Sequence, residues 1–166
     1  KWADGDCMGR MYPAAHRRFM QRPINDRLAV FSDILSFLEC VVSRNYVAID
    51  FYDGSIMYDF ANGKTTICDI DLFHKQPCVN DMGRMWGSSR FQSPEEYQLG
   101  ADIDEITNVY TLGATAFALF GEYNRTREKW QLSDKLFEIA TRAVSDDRTK
   151  RQQSIRQFTA EWEAAQ

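Results

Sequence analysis

The chain has 166 residues and a formal net charge of −4 at pH 7. A chain of this length fits one domain with its own core, and its acidic balance argues against nucleic-acid or anionic-membrane binding. Its longest apolar run, near residues 112–121, is far too short to cross a bilayer, so we expect no membrane association. Small molecules or proteins are therefore the expected partners.

The cysteines indicate a reducing environment. They are scattered along the chain: Cys7, Cys40, Cys68 and Cys78. A chain with this many core-forming residues needs no disulfides, so we expect free thiols and a cytoplasmic protein. Neither His16 nor His74 stands at zinc-site spacing from a cysteine, so a structural zinc is not expected.

Two helices are predicted near the N-terminus. Residues 13–21 favour a short helix that stops at Pro23, because a proline disfavours helix in the residue before it. From Asn25 or Asp26, apolar residues recur at helical spacing until about Arg44. This spacing predicts a long amphipathic helix with one buried face.

A small hairpin is predicted next. Residues 46–49 read as a short extended segment that leads into an acidic loop, residues 50–55. Residues 56–60 and 65–70 read as two strands, and residues 61–64 between them have turn composition. A hairpin brings its two open ends together, so the segments before and after it should meet.

The C-terminal half is predicted to be mostly helical. Residues 73–99 have no sustained period and read as a long ordered loop, and loops of that length usually carry function. Residues 104–120 are apolar on most faces, which is typical of a buried central helix. Residues 133–144 and 154–162 predict two further helices. The fold class is therefore mainly α, with one small β-hairpin.

Acidic residues lie on both sides of the hairpin. The loop before it begins with Asp50, and the loop after it contains Asp69 and Asp71. Carboxylates that converge there could hold a divalent cation and accept a proton from an attacking hydroxyl, as phosphoryl transfer requires. The alternative is that these residues only solvate turns.

The order of these elements resembles the C-terminal lobe of a protein kinase, from the hinge to the last helix. The stretch AIDFYDGS, residues 48–55, resembles the catalytic loop, and Asp50 falls on the catalytic base. Ser55 falls on the asparagine that binds metal and cofactor. Asp69 falls on the aspartate of the Asp-Phe-Gly motif, which implies the main magnesium ligand, and Asp71 is a second candidate.

Three later motifs carry the same resemblance. GSSRFQSPEE, residues 87–96, resembles the end of an activation segment, so residues 69–95 are expected to form that segment. NVYTLG, residues 108–113, resembles the start of the central helix, with asparagine in place of the acidic first residue. DDRTKR, residues 146–151, resembles the turn before the last helix. The resemblance implies a buried ion pair between Glu95, in the Ser-Pro-Glu of the first motif, and Arg151, the last residue of the third.

The chain departs from the kinase pattern at several positions. Ala48 and Ile49 replace the histidine and arginine before the base, so a phosphorylated activation segment would lack its usual anchor. Tyr52 stands where a cation contacts the transferring phosphate. These losses fit an atypical active kinase or a pseudokinase that serves as a scaffold. A third interpretation is an all-helical interaction domain unrelated to kinases.

The resemblance implies how the 166 residues are organised. They form one C-terminal lobe of an atypical, bacterial-type serine/threonine protein kinase, with residues 1–11 as a hinge-like segment and no N-terminal lobe. The parent is expected to use ATP and Mg²⁺ and to phosphorylate a protein or, as the alternative, a small-molecule hydroxyl. We expect this chain alone to bind neither tightly and to be inactive. Its uncovered N-lobe face favours dimerisation.

Overall fold

The computed structural model describes residues 13–166 and the side chains from residue 16 onward. The hinge-like segment predicted for residues 1–11, and Cys7 within it, lie outside the described residues. Over the described range the chain is mainly helical with small antiparallel sheets, which confirms the predicted class. None of the helices in this range is long and apolar enough to cross a membrane.

Five α-helices form the frame of residues 13–166, and each lies within a few residues of its predicted position. They are α1 (Pro13–Met20), α2 (Ile24–Ser43), α3 (Glu105–Phe120), α4 (Asp134–Ala143) and α5 (Ile155–Ala164). Side-chain caps define three of their starts, because Asp104, Ser133 and Ser154 accept hydrogen bonds from backbone N–H groups in the first turns of α3, α4 and α5.

The central helix α3 is buried on nearly every face, as its sequence predicts. The helix α2 contributes Phe31, Ile34 and Leu38 to the core that surrounds α3, and all three side chains are fully buried. From α5, Trp162 lies against Phe31 with 4.7 Å between ring centroids. These contacts make α3 a rigid support for the loops at its N-terminal end.

A close approach joins α3 to α4. An added Cβ at Gly113 would lie 2.7 Å from the Cβ of Ala143 and 2.9 Å from a methyl of Val144. Only glycine allows two helices to pack at this separation without a shift of one of them. The packing fixes α4, and with it the turn that leads to α5, against the central helix.

In the described part of the chain, six short strands form three two-stranded antiparallel sheets. They are β1 (Tyr46–Val47), β2 (Ile56–Asp59), β3 (Lys64–Ile67), β4 (His74–Lys75), β5 (Cys78–Val79) and β6 (Asp102–Ile103). The strands β2 and β3 form the predicted hairpin with Ile56 opposite Ile67. Strand β3 ends at Ile67 instead of residue 70, because Asp69 adopts a left-handed backbone that a strand cannot contain.

Of the strands in the other two sheets, β1 lies in the segment predicted as extended, β4 and β5 lie in the predicted loop, and β6 lies between that loop and α3, where no element was predicted. Strand β1 pairs with β4, and β5 pairs with β6. The segment predicted as one loop, residues 73–99, therefore contains two strands of two residues each and a 3₁₀-helix at Pro94–Tyr97. These pairings tie the first part of the segment, residues 74–79, to β1 after α2 and to β6 before α3.

Candidate functional site

The open end of the hairpin brings the two acidic loops together. The backbone N–H of Cys68 donates to the carbonyl of Ser55 at 2.8 Å, which joins the start of the second loop to the end of the first. Burial raises the pKa of Asp50, and the negative charge of Asp69 raises it further. The two carboxylates that the sequence singled out therefore interact through space, as the hairpin argument predicts.

The environment of Asp50 is incompletely satisfied within residues 13–166. Its Oδ1 atom is buried without a hydrogen-bond partner there. A buried carboxylate oxygen without a partner is costly, and such atoms concentrate at sites that receive a ligand. Both Asp50 and Asp69 have a φ of 60°, in the left-handed region that side chains other than glycine seldom occupy.

The other two predicted metal ligands occupy different surroundings. Ser55 is fully buried, and its hydroxyl lies 3.4 Å from the carbonyl of Asp50, so it is engaged with the backbone of its own loop. Asp71 is exposed, as is Asp69. Among residues 13–166, no group of three or more histidine, cysteine, aspartate or glutamate side chains is arranged to hold a metal.

The residues present fit a magnesium ion held partly by another molecule. Mg²⁺ keeps several waters and is usually bound by one or two carboxylates together with substrate phosphates. The exposed Asp69 would supply one such carboxylate, and its charge also acts on Asp50, whose Oδ1 atom has no partner among the described residues. Asp69 would therefore hold such an ion only together with the ion's other ligands.

The central helix positions the segment that precedes Asp50. The side chain of Asn108 is fully buried, accepts a hydrogen bond from the N–H of Ala48 at 2.8 Å and donates one to its carbonyl at 2.7 Å. An asparagine can make both bonds because its amide is a donor and an acceptor, whereas an ionised aspartate only accepts. The pair fixes the approach to Asp50 on α3.

The end of the 69–95 segment is held by a buried ion pair. Arg151 donates from Nη1 and Nη2 to the two carboxylate oxygens of Glu95 at 2.6 and 2.9 Å, in the pairing that the sequence analysis expects. Burial raises the pKa of Glu95, but the hydrogen bonds and charge of Arg151, a backbone hydrogen bond and the charge of Arg148 together outweigh burial, so the net shift is downward. Arg148, which the sequence analysis did not single out, lies 3.2 Å from Glu95 and also binds Asp104.

A second cluster was not predicted from the sequence. Asp53, almost wholly buried, accepts from the hydroxyl of Tyr123 at 2.6 Å and from Arg90 at 3.2 Å. The Nε2 atom of His16 lies 2.9 Å from that hydroxyl. We call these four residues the Asp53 cluster. The only sequence signal was the place of Asp53 in the acidic loop, since its partners Arg90 and Tyr123 are 37 and 70 positions away.

Glu96 is expected to make the folded chain less stable as the pH rises from about 4.5 to 7. Burial raises its pKa to about 7, although the backbone N–H and hydroxyl of Ser93 donate to it at 2.7 and 2.9 Å. The folded chain thus keeps a proton that the unfolded chain has released in this pH window, so folding is favoured at the acidic end and the loss levels off above pH 7.

Urea unfolding across this pH range measures the effect. Relative to the Glu96→Gln variant, the wild type should lose up to about 1.4 kcal/mol of unfolding free energy per pH unit within the window. Glu163→Gln, an exposed position on α5, is the matched control and should leave the profile unchanged. Parallel profiles for the wild type and Glu96→Gln would contradict the prediction.

Comparisons with known proteins do not identify a family. No protein-family model matches the chain, and no curated protein matches it significantly.

Proposed function

We propose that this chain is the C-terminal lobe of a protein-kinase-like phosphotransferase. The observation that supports the proposal most strongly is the interaction of Asp50 with Asp69 at the open end of the hairpin, where one Asp50 oxygen is buried without a partner in the described chain. Phosphoryl transfer needs a group that orients a hydroxyl and a group that holds Mg²⁺, and two converging carboxylates supply both.

The two aspartates have different roles in this proposal. Asp50 accepts a hydrogen bond from the attacking hydroxyl and takes its proton, and its raised pKa makes it a better base than an exposed aspartate. Asp69 is exposed and binds the magnesium ion that accompanies the phosphates of ATP. Ser55 supports the loop through its own backbone contacts, and Asp71 remains the second candidate ligand.

The acceptor is proposed to be a protein hydroxyl, with a small-molecule hydroxyl as the alternative. Large apolar side chains are exposed on both sides of residues 87–95 in the sequence: Met82 and Trp86 before them, and Tyr97 and Leu99 after them. Exposed apolar groups in one region are typical of surfaces that contact another polypeptide. The three cysteines in the described range are free, which supports the proposed cytoplasmic location.

A second apolar region lies beside the acidic loops. Ile70 and Leu72 are 50% and 42% exposed next to Asp69 and Asp71. In the proposal, this face is covered by the N-terminal lobe, which supplies the other side of the ATP site, or by a second copy of the chain. The isolated chain is accordingly expected to bind nucleotide weakly and to transfer little phosphate.

A scaffolding pseudokinase is the second candidate function. Two observations favour it. The hydroxyl of Ser55 is turned to its own loop backbone, and Tyr52 occupies the position where the family places a cation. A chain that kept the fold and lost catalysis would retain Glu95, Arg151 and the buried core, because these residues stabilise the structure whether or not phosphate is transferred.

The test is phosphate transfer from ATP with magnesium in a protein that joins this chain to the proposed N-terminal lobe. Asp50→Asn should lower kcat by roughly 10²–10⁴-fold, the range typical of a lost general base. Asp33→Asn, at an exposed position on α2, is the matched control and should retain activity. Activity that survives Asp50→Asn would reject the assigned roles, and an inactive wild type would favour the scaffold.

A further inference from the structure

The Asp53 cluster joins parts of the chain that are far apart in sequence. Asp53 belongs to the loop that contains Asp50, Arg90 to the end of the 69–95 segment, and Tyr123 to the turn after α3. The Asp53 side chain is 1% exposed, and that of Arg90 is 35% exposed. A carboxylate this deeply buried is stable only when it is paired and hydrogen-bonded, so the cluster strongly specifies how these parts meet.

Several contacts hold the Arg90 guanidinium in place. It lies 4.7 Å from the ring centroid of Tyr123 and 5.5 Å from that of Phe91, so it contacts aromatic faces as well as Asp53. Glu122 and Tyr123 have φ values of 53° and 62°. Two consecutive left-handed residues cost free energy. The hydrogen bond from the Tyr123 hydroxyl to Asp53, which this turn makes possible, offsets part of that cost.

We infer that Asp53 and Arg90 are positioning residues whose ion pair locks residues 87–92 to the loop of Asp50. Because both charges belong to unmodified side chains, the acceptor side of the site keeps its shape without phosphorylation. The locking is a property of the fold, and its meaning for catalysis rests on the proposed function. The position where the resemblance expects a phosphate-binding arginine is the buried, apolar Ile49. Here the cation lies on the segment and the anion on the loop.

The same geometry assigns an effect to negative charge at Ser88. The Nε atom of Arg90 donates to the hydroxyl of Ser88 at 3.3 Å, while Nη2 contacts Asp53. A phosphate or a carboxylate at position 88 would compete with Asp53 for the same guanidinium, because a charged acceptor binds it more strongly than a hydroxyl. Modification at this residue should loosen the lock instead of forming it.

Hydrogen exchange of the 166-residue chain tests the lock. The amides of Phe91 and Gln92 bond to the carbonyl of Ser88 at 2.8 and 3.2 Å, so they report on this turn. In Arg90→Gln they should exchange about tenfold faster or more, and Arg90→Lys should recover part of the protection. Arg84→Gln, an exposed arginine of the same segment, is the matched control and should change them less than about twofold.

Amides within α3 provide the reference for global unfolding. Acceleration at residues 91 and 92 that equals the change in α3, or that Arg84→Gln reproduces, would overturn the inference. Ser88→Glu should also accelerate exchange at these amides, and slower exchange would overturn the assigned competition.

Phosphate transfer from ATP, measured in the protein that joins this chain to the proposed N-terminal lobe, separates this inference from the proposed function. Arg90→Gln should lower kcat by roughly 10–100-fold while the KM for ATP stays unchanged, because the acceptor side is displaced and the nucleotide side is not. Full activity in a variant whose residues 87–92 are loosened would reject the positioning role. A wild type without phosphate transfer would reject the proposed function, and the exchange result would still decide whether the lock exists.

Discussion

Replacing Arg151 with methionine is expected to lower the free energy of unfolding by about 3–5 kcal/mol, the usual cost of leaving a buried partner charge uncompensated. The Arg151 side chain is fully buried, that of Glu95 is 5% exposed, and two short hydrogen bonds join them. Arg148 remains 3.2 Å from Glu95 in the variant, which favours the lower half of that range.

Urea unfolding of Arg151→Met and of a matched variant measures this cost. Arg142 pairs with Glu161 at the surface, where the two side chains are 43% and 30% exposed. Arg142→Met should therefore cost less than about 1 kcal/mol, as exposed ion pairs do. Equal losses in the two variants would show that the burial of the Arg151 pair contributes nothing special.

Replacing Asn108 with leucine is expected to cost about 2–5 kcal/mol. The change keeps the approximate size of the side chain but removes both hydrogen bonds to the backbone of Ala48, a residue that is only 4% exposed. Each buried peptide group that loses its partner costs about 1–3 kcal/mol. Asn108→Asp should lie between leucine and the wild type, because it keeps the acceptor for the Ala48 N–H and loses the donor to the carbonyl.

Thr115→Val is the matched control for Asn108→Leu in the same unfolding measurement. Thr115 is also fully buried on α3, but its hydroxyl donates at 2.7 Å to the carbonyl of Thr111 within the same helix. Its loss should cost less than about 1.5 kcal/mol, since one neutral bond is removed and the helix remains. A leucine variant as stable as the valine variant would remove Asn108 as the support of the Asp50 loop.

The helices could be predicted closely because their signals are local. Apolar residues at helical spacing define α2, and capping residues such as Asp104 and Ser133 define where α3 and α4 begin. The buried face of each helix follows from the same periodicity. The hairpin could also be predicted, since the turn residues Asn62 and Gly63 stand between its two strands. In the structure Gly63 has a φ of 65°, which glycine adopts freely.

The two smaller sheets could not be predicted in the same way. Strands of two residues are too short to show an alternating pattern, and β5 pairs with β6 across more than twenty positions of loop and 3₁₀-helix. Such pairing depends on the completed fold. The sequence therefore predicted a long ordered loop over residues 73–99, but not the strands and the 3₁₀-helix that it contains.

The residues of the candidate site likewise differ in whether a pattern in the sequence reveals them. Asp50, Asp69, Glu95 and Arg151 were identified because their motifs keep a known order along the chain. The contacts of Asp53 could not be identified, because no spacing rule connects it to Arg90 or Tyr123. Ser55 illustrates a third case. Its position in the motif suggests a ligand, whereas its hydrogen bonds place it in the support of the loop.

The left-handed backbone at Asp50 and Asp69 has a consequence for sequence drift. Most side chains at such a φ cost roughly 1–2 kcal/mol, while asparagine and aspartate tolerate it and glycine adopts it freely. A related chain with the same loops should therefore carry aspartate, asparagine or glycine at both positions whether or not it transfers phosphate, because the backbone shape requires these residues. Asparagine keeps that shape and removes only the negative charge, so it is the replacement that isolates the carboxylate.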